Sequence, residues 1–247
     1  MVDYNLLQEL EVKEDWIDEQ IASVFGEDAS RERIAEVIDK TVGNFQAGTM
    51  YPQSHNRTII LASSSPYRKM LLERLPLDFT VLSPSIDETP LPDESPTGLV
   101  SRLAKEKARA VSDQHPDALV IGSDQLAVFE SRIIFKPGNA QKAVEQLKQF
   151  SGQWVRFLTA VAVNCTQTGF FSNSTITTDV CFRVLGDSEI QRYVLTDNPV
   201  DCVGGFKSEA GGSTLLTHLK SDDPAAIIGL PLICLSAMLR QAGFQIP

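Results

Sequence analysis

The stretch from Thr58 to Leu75, which reads TIILASSSPYRKMLLERL, constrains the fold of this chain more than any other. Its apolar run, Ile59 to Leu61, predicts a buried β-strand, and three serines lead from that strand into a helical pattern. Ser65 is a favourable N-cap, and Pro66 suits the first helical turn, where a missing N–H leaves no bond unmade. A turn of this kind presents backbone N–H groups and the positive end of the helix dipole, which together bind phosphate.

Arg68 falls in the first turn of the predicted helix, where a cation is unfavourable unless an anion lies nearby. The apolar side of that helix is predicted to contain Met70, Leu71 and Leu75. Two interpretations stay open from this stretch alone. It is either an ordinary βα unit with a surface arginine or part of a phosphate site that includes Ser63 and Arg68.

With 247 residues, of which 43% are hydrophobic, the chain is long enough to bury a full core. It has no apolar run that could span a bilayer and no basic-then-apolar signal segment, so we expect a cytoplasmic protein with no membrane partner. Its four cysteines and three histidines show no metal-ligand spacing, which argues against a disulfide framework and against a zinc or histidine-based metal site.

Negative charge is concentrated near the N-terminus, since residues 1–49 carry 12 acidic and 4 basic residues and the whole chain has a net charge of −10. Such a chain is a poor candidate for binding a nucleic-acid polymer, which requires clustered Lys and Arg. Two apolar stripes predict that residues 1–49 form an acidic helical extension, which docks on the main domain, pairs with a partner or frays. Residues 50–57 predict a linker, in which Met50 is an alternative start.

A second strand is predicted over Phe79 to Leu82, followed by a proline-rich loop that contains Asp87 and Glu88. Acidic runs of this kind are usually solvated. The functional alternative is that one of these carboxylates, for which Glu88 is the candidate, faces the phosphate site and holds a cation.

The helix predicted over residues 97–112 places Arg102 and Glu106 on its outer face as an i,i+4 pair. Lys107 instead lies along the buried stripe, four residues after Leu103. A lysine at such a position either extends its ammonium to water or meets an anion.

The segment ALVIGSDQ predicts a central strand with Asp124 at its carboxyl end, and Gly122 would let another backbone come close. Ligands of open α/β sheets bind at that end of the strands, although Asp is also a common turn residue. The segment FKP then places Lys136 before a proline. The chain has neither a GxxxxGK[ST] loop nor a GxGxxG motif, so P-loop and dinucleotide-binding functions have no support.

Residues 154–163 and 174–185 predict two long paired strands, with Val184 on the apolar face of the second. Ser188 opens a predicted capping box for a short helix. The four glycines of VGGFKSEAGG, residues 203–212, indicate a loop that packs against something flat or bulky.

The candidates form one constellation of dispersed cations and carboxylates. Glu88 and Asp124 are candidates for a metal or for proton transfer, and dispersed cations beside them suit a triphosphate with a divalent metal. The candidates for the phosphates are Ser63, Arg68, Lys107 and Lys136.

The segments LASSSPYRK, DETP, RLAKEKA, VIGSDQ, FKP and GGFKSE followed by GLPL resemble, in this order, those of the Maf-like nucleotide pyrophosphatases. The resemblance covers residues 58–247 and leaves residues 1–49 without a counterpart. It implies a two-lobed, inosine triphosphatase-like α/β fold in which helices flank a mixed twisted sheet with a central cleft. It also implies a homodimer that cleaves a nucleoside triphosphate to the monophosphate and pyrophosphate with Mg²⁺ or Mn²⁺.

By this resemblance Asp124 is the proton acceptor, and Glu88 and Asp124 are the metal ligands. Phe135 departs from the family, which usually has glycine before Lys-Pro, and a ring there would crowd the approach to Lys136. The substrate phosphates are expected on Ser63, Arg68, Lys107 and Lys136.

Three further positions distinguish the family's branches, and here they are Tyr67, Gln125 and Glu209. SPYR, SDQ and FKSE resemble the branch that acts on 7-methyl-GTP, whereas the dTTP/UTP branch has SPRR and threonine after the aspartate. Methylation at N7 makes the purine cationic, and the face of an aromatic ring attracts a cation. Glu209 can accept hydrogen bonds from guanine, and Gln125 can offer both a donor and an acceptor.

Two alternatives stay open. One is a nucleotide-binding regulator of septum formation and cell division with little turnover, and the other is a pyrophosphatase that prefers UTP, dTTP or CTP. A carboxylate beside a triphosphate repels it unless a metal lies between them, so a pure binder has no need of Asp124. The presence of Asp124 among the cations therefore favours the enzyme.

Overall fold

The computed structural model describes residues 57–246 of the chain. The predicted acidic extension, residues 1–49, and most of the predicted linker lie outside the described residues. Within the described part, the strands are Ile59–Ala62 (β1), Phe79–Leu82 (β2), Leu119–Phe129 (β3), Arg132–Ile134 (β4), Trp154–Cys165 (β5), Phe170–Phe182 (β6) and Leu216–Ser221 (β7). The α-helices are Pro66–Leu72 (α1), Pro96–Ser112 (α2), Ala140–Phe150 (α3), Asp187–Asp197 (α4) and Leu232–Gln241 (α5).

The strands form one mixed sheet in the order β2-β1-β3-β5-β6-β7, with β4 paired to β3. β1 is parallel to both β2 and β3, whereas β3, β5, β6 and β7 pair in antiparallel fashion. The pairing of β1 with β3 ends at Ala62 opposite Gly122. Asp124 therefore lies two residues beyond the level at which β1 gives way to the serine turn, and the register itself brings the two segments together.

Three apolar clusters cover the sheet. On one face, β1 and β3 pack against α1 and α5, through residues such as Leu61, Leu71 and Leu235. The far ends of the long strands pack against α3 and α4, for example at Phe157 and Leu147. Residues that alternate with the first set face α2 on the opposite side of the sheet.

The fold confirms the predicted class, a mixed sheet flanked by helices with a cleft, and it explains why the cores divide into two lobes. Between the two clusters that share a face, the sheet presents polar residues to the short 3₁₀ turn Ala226–Ile228. The carbonyl oxygen of Ala226 accepts from Thr159 Oγ1 at 2.8 Å, and that of Gly229 accepts from Ser123 Oγ at 2.9 Å. Both hydroxyls are buried, so these bonds fix the turn over the seam between the lobes.

Some local predictions were wrong. α1 ends at Leu72, so Leu75 lies beyond the helix although it packs on the core, and Met70 is 37% exposed. Val184 lies past the end of β6 and is 84% exposed rather than inward-facing. The capping box at Ser188 is absent from the described structure, because α4 already begins at Asp187 after Gly186.

The glycine-rich loop packs as its composition indicated. A Cβ atom on Gly204 would lie 3.5 Å from the rings of both Phe150 and Phe157, so the bare backbone rests on two aromatic side chains. Gly204 also has a positive φ of 69°, which a side chain rarely adopts. Among the described residues, no helix is long and apolar enough to cross a membrane.

Candidate active site

The serine turn after β1 is held by its own side chains. Ser65 Oγ accepts from the backbone N–H of Arg68 at 3.4 Å and caps α1, with Pro66 in the first turn. The N–H of Ser65 in turn donates to Ser63 Oγ at 3.1 Å. Ser63 is buried and does not line the cleft between the lobes, whereas Ser64 and Ser65 do.

Arg68 is anchored at the base of this turn. Its Nε donates to the carbonyl oxygen of Gly229 at 2.9 Å, and its NH1 lies 3.5 Å from Ser63 Oγ. Burial lowers the pKa of Arg68, and the negative charges of Asp124 and Glu88 offset that effect only in part. A guanidinium stays protonated in proteins, so Arg68 holds a fixed positive charge at the cleft wall.

Lys107 meets anions rather than water. The residue is 8% exposed, and its Nζ lies 2.6 Å from Asp124 Oδ1 and 2.7 Å from Glu88 Oε1. Of the two interpretations that the sequence left open, the structure therefore selects the anion. Together with Arg68, these residues form the Lys107 cluster: Arg68, Glu88, Lys107 and Asp124.

Gly122 makes this cluster geometrically feasible. A Cβ atom at Gly122 would lie 2.3 Å from the carbonyl oxygen of Ala104 and 2.6 Å from the backbone N of Ala108. α2 therefore packs its backbone directly on β3, which confirms the predicted close approach. The same contact brings Lys107, which lies between these two alanines on α2, within reach of Asp124.

Lys136 and Phe135 follow β4 and line the same cleft. Both are exposed, and Lys136 makes no hydrogen bond or ion pair within residues 57–246. Phe135 is 64% exposed, and its carbonyl oxygen accepts from Gln146 Nε2 at 3.0 Å. The backbone here is thus anchored while the adjacent lysine side chain keeps its donors for a ligand.

Tyr67 carries a neighbour that the sequence did not reveal. Lys207 Nζ lies 5.6 Å from the centroid of the Tyr67 ring. The Tyr67 hydroxyl donates to Asp201 Oδ2 at 3.4 Å. Lys207 is held in turn by the carbonyl oxygen of Asp197, 3.0 Å away. With Cys202, these side chains form the Tyr67 cluster: Tyr67, Asp201, Cys202 and Lys207.

Burial sets the protonation states in the Tyr67 cluster. It raises the pKa of the Tyr67 hydroxyl and raises that of the Cys202 thiol to about 12, so both are neutral at physiological pH. The pKa of Lys207 is raised: burial lowers it, but the hydrogen bond to Tyr67 and the negative charge of Asp201 act in the opposite direction. The ring therefore faces a charged ammonium.

Gln125 is more restricted than its chemistry suggested. Its Nε2 donates to the carbonyl oxygens of Ala226 and Ile227, at 2.9 and 3.0 Å, and lies 3.0 Å from Thr159 Oγ1. Two carbonyl oxygens can only accept, so the NH₂ group must face them. Gln125 therefore has only its Oε1 to offer a ligand, which corrects the expectation of both a donor and an acceptor.

A cleft of about 520 Å³ joins the two clusters. It also contains two side chains that sequence reasoning did not single out, Asp201 and Cys202, whose place depends on long-range packing. Ser63 does not line the cleft, whereas Ser64 and Ser65 of the same serine run do, and the run itself was the signal for them in the sequence. The candidates that line it are Tyr67, Arg68, Glu88, Lys107, Asp124, Gln125, Lys136 and Glu209.

The carboxylates of the Lys107 cluster fit a divalent cation that arrives with phosphates. The described residues contain no group of three or more His, Cys, Asp or Glu side chains arranged to hold a metal alone. Mg²⁺, however, is commonly bound by one or two carboxylates together with substrate phosphates and waters. Glu88 and Asp124, both in contact with Lys107 Nζ, supply that donor set.

The fold and these residues define a class of nucleotide-hydrolysing protein, and comparison with known sequences agrees. The family described as Maf-like protein matches residues 58–242, so this chain belongs to the Maf-like family. A 7-methyl-GTP pyrophosphatase from Aromatoleum aromaticum is 52% identical over 189 residues, which is 76% of this chain and 97% of that protein.

Other relatives carry the same name. The 7-methyl-GTP pyrophosphatases from Polaromonas sp. and Nitrosococcus oceani are 49% and 48% identical, each over 76% of this chain and over 86% and 95% of their own lengths. Among solved structures, a HAM1 protein from Coxiella burnetii covers 51% of this chain and 73% of its own at 13% identity and a TM-score of 0.34, a likeness too weak to support a conclusion. The family predicted from the motifs, and its 7-methyl-GTP branch, are thus confirmed by sequence.

Proposed function

We propose that this protein hydrolyses 7-methyl-GTP to 7-methyl-GMP and pyrophosphate, a reaction that removes a modified nucleotide. The observation that carries the proposal is Asp124, which is 8% exposed and lies in the cleft beside Lys107 and Arg68. The relatives at about half identity that are named for this reaction support the same substrate.

In the proposed reaction Asp124 accepts a proton from water as the water oxygen bonds to the α-phosphorus. The bond from that phosphorus to the bridging α–β oxygen breaks, and pyrophosphate leaves with its charge met by Arg68, Lys107 and Lys136. Lys107 occupies Oδ1 of Asp124, and Oδ2 makes no hydrogen bond within residues 57–246, so it is the oxygen that can take the proton.

Glu88 and Asp124 would hold Mg²⁺ or Mn²⁺ with the triphosphate. When bound, such an ion neutralises charge on the phosphate oxygens. The two carboxylates balance the positive charges of Arg68 and Lys107, so without a bound cation the Lys107 cluster offers a triphosphate no net positive charge. The arrangement therefore accounts for a substrate that enters as a metal complex.

The base would lie against Tyr67, with Glu209 and the Oε1 of Gln125 as acceptors. Both acceptors suit the N1–H and exocyclic amine of guanine, and the negative charges of Glu209 and Asp201 complement a methylated, cationic purine. Lys207 is not among the residues that line the cleft, so the surface of the Tyr67 ring that faces the cleft remains available.

The test is pyrophosphate release from 7-methyl-GTP, GTP, CTP, UTP and dTTP, with Mg²⁺, with Mn²⁺ and with chelator. We expect kcat/KM to be highest for 7-methyl-GTP, and Glu209→Gln to reduce the ratio of 7-methyl-GTP to GTP. A lead for UTP or dTTP would overturn the substrate but leave the reaction class. Tight nucleotide binding without release would instead point to the regulator.

We expect a cytoplasmic homodimer, and we expect residues 1–49 to contact a protein partner. Light scattering on the full chain measures its oligomeric state directly, and a monomer at micromolar concentration would contradict the homodimer.

A further inference from the structure

We propose that Arg102 is a positioning residue for the reaction, because it fixes the loop of residues 83–95 so that the Glu88 carboxylate faces Lys107 and the cleft. This inference rests on the proposed function for its kinetic consequence. Its geometric part stands on the contacts of Arg102 alone. The sequence placed Arg102 only in an outer-face pair with Glu106.

The loop needs such a support. Residues 83–95 connect β2 to α2 without any helix or strand of their own, and most of their side chains are exposed. The Glu88 side chain is 59% exposed, so the surrounding protein does not enclose it. The position of the Glu88 carboxylate next to Lys107 therefore depends on how firmly the loop backbone at Glu88 is held.

Arg102 holds that backbone from α2. Its NH2 donates to the carbonyl oxygen of Thr89, the residue after Glu88, at 3.0 Å. Its Nε and NH2 also bind the two oxygens of Glu94 at 2.8 and 2.9 Å, in the bidentate geometry that gives arginine–carboxylate pairs their directionality. Arg102 and Glu94 are 20% and 11% exposed, so water competes little for these bonds.

The loop contributes bonds of its own to the same point. Glu94 Oε2 accepts from the N–H of Leu91 at 3.1 Å, and Asp87 Oδ1 accepts from the N–H of Thr89 at 2.9 Å. Thr89 is thus tied to Arg102 directly and Leu91 through Glu94, while Asp87 is tied to Thr89. The i,i+4 partner Glu106 uses only the remaining NH1, at 3.0 Å.

One helix therefore sets both halves of the Glu88 contact. Arg102 and Lys107 both lie on α2, where Arg102 holds the backbone at Thr89 and Lys107 binds the carboxylate of Glu88. A shift of the loop relative to α2 would move the carboxylate away from the cleft. We infer that Arg102 acts on the reaction through Glu88 and contacts no substrate itself.

The first test compares Arg102→Met with Arg109→Met, which removes an exposed arginine of the same helix whose ion pair to Asp113 is 3.9 Å long. Amide hydrogen exchange read by mass spectrometry should accelerate in residues 83–95 of Arg102→Met and stay unchanged in α3 and β5. Arg109→Met should match the wild type. Unchanged exchange in the loop of Arg102→Met would overturn the positioning role.

The second test is a double-mutant cycle of Arg102→Met with Glu88→Gln, read as kcat and KM for 7-methyl-GTP across Mg²⁺ concentrations. We expect Arg102→Met to lower kcat about 10- to 10²-fold, as misplacement of a reacting group does. It should also raise the Mg²⁺ concentration for half-maximal rate. The double variant should be no slower than Glu88→Gln alone, because the two residues act as one unit.

Additive losses in this cycle would show that Arg102 does not act through Glu88 and would overturn the inference. Arg102→Lys should recover little, since an ammonium cannot form the bidentate bond and reach Thr89 as well. If the wild type releases pyrophosphate from no nucleotide, the proposed function fails. In that case the exchange measurement still decides whether Arg102 holds the loop.

Discussion

In the Lys107 cluster, Lys107 Nζ lies 2.6 Å from Asp124 and 2.7 Å from Glu88, whereas in the Tyr67 cluster Asp201 lies 3.4 Å from the Tyr67 hydroxyl and 3.8 Å from Lys207 Nζ. The first cluster stands on β3 and α2, at a point where the two backbones touch. The second stands partly on the irregular segment after α4. A strand and a helix thus hold Lys107 and Asp124, while the side chains proposed to contact the base lie partly on short turns, and we expect substitutions in the two clusters to have different kinetic signatures.

The largest effect is expected at the chemical centre. Asp124→Asn should lower kcat by about 10²–10⁴-fold, the usual loss for one acid–base group, because Asn cannot accept the proton. Asp179→Asn is the matched control, since Asp179 pairs with Arg156 on an exposed part of the sheet. Near-normal pyrophosphate release by Asp124→Asn, with the melting temperature unchanged, would remove Asp124 from its role.

A second substitution tests whether the Lys107 cluster depends on close packing. Gly122→Ala places a methyl group 2.3 Å from a backbone oxygen of α2, so the helix must move. We expect the free energy of unfolding to fall by about 1–3 kcal/mol and Tm to fall by roughly 2–4 °C for each kcal/mol. We also expect kcat to fall.

Gly186→Ala is the control for that substitution, because a methyl group there would meet nothing within 4 Å and its φ of −82° suits any residue. Thermal unfolding and pyrophosphate release should be measured for both variants. A Gly122→Ala protein as stable and active as Gly186→Ala would show that the contact between α2 and β3 is not needed to place Lys107.

In the Tyr67 cluster we expect a change in substrate ratio rather than in rate. Tyr67→Leu should reduce the preference for 7-methyl-GTP over GTP by about 2- to 30-fold, which corresponds to a cation–π contribution of roughly 0.5–2 kcal/mol. Tyr67→Phe keeps the ring and loses only the hydroxyl, with its bonds to Asp201 and Lys207, so it should keep the ratio.

Lys207→Met sharpens the same comparison, because an ammonium 5.6 Å from the ring repels a cationic base. This variant should raise the ratio of kcat/KM for 7-methyl-GTP to that for GTP by a few-fold. If all three variants shift kcat for both nucleotides equally, the ring does not sense the charge on the base.

The smallest effect is expected from the N-terminal residues. The family match begins at residue 58, and both clusters lie within residues 57–246. A chain that starts at Met50 should therefore show the kcat, the substrate ratio and the melting temperature of the full chain. A large drop in any of them would make the extension part of the enzyme core.

The residues of the Lys107 cluster could be picked out from the sequence because their signals are local. Lys107 breaks an otherwise apolar helical stripe, Gly122 interrupts a buried strand, and Ser65 with Pro66 marks a helix start. Each of these is visible within a few residues of chain, and the register of parallel strands then brings the segments together.

The Tyr67 cluster was poorly predictable because its contacts span long separations. Tyr67 and Asp201 are 134 residues apart, and nothing near Tyr67 in the sequence indicates that Lys207 covers its ring. The end of β6 was also hard to predict, because Val184 continues the alternating pattern of the strand although it is exposed. Where the strand ends is decided by its partner, which the pattern does not contain.

The turn at residues 226–228 limits how the substrate range of such an enzyme can diverge. Gln125 donates to the carbonyl oxygens of Ala226 and Ile227, and the oxygen of Ile227 has no second donor within residues 57–246. Replacing Gln125 with the threonine of the dTTP/UTP branch would leave that oxygen unbonded, at a cost of about 1–3 kcal/mol. We therefore expect a change at Gln125 to lower stability unless a compensating change in the turn comes first.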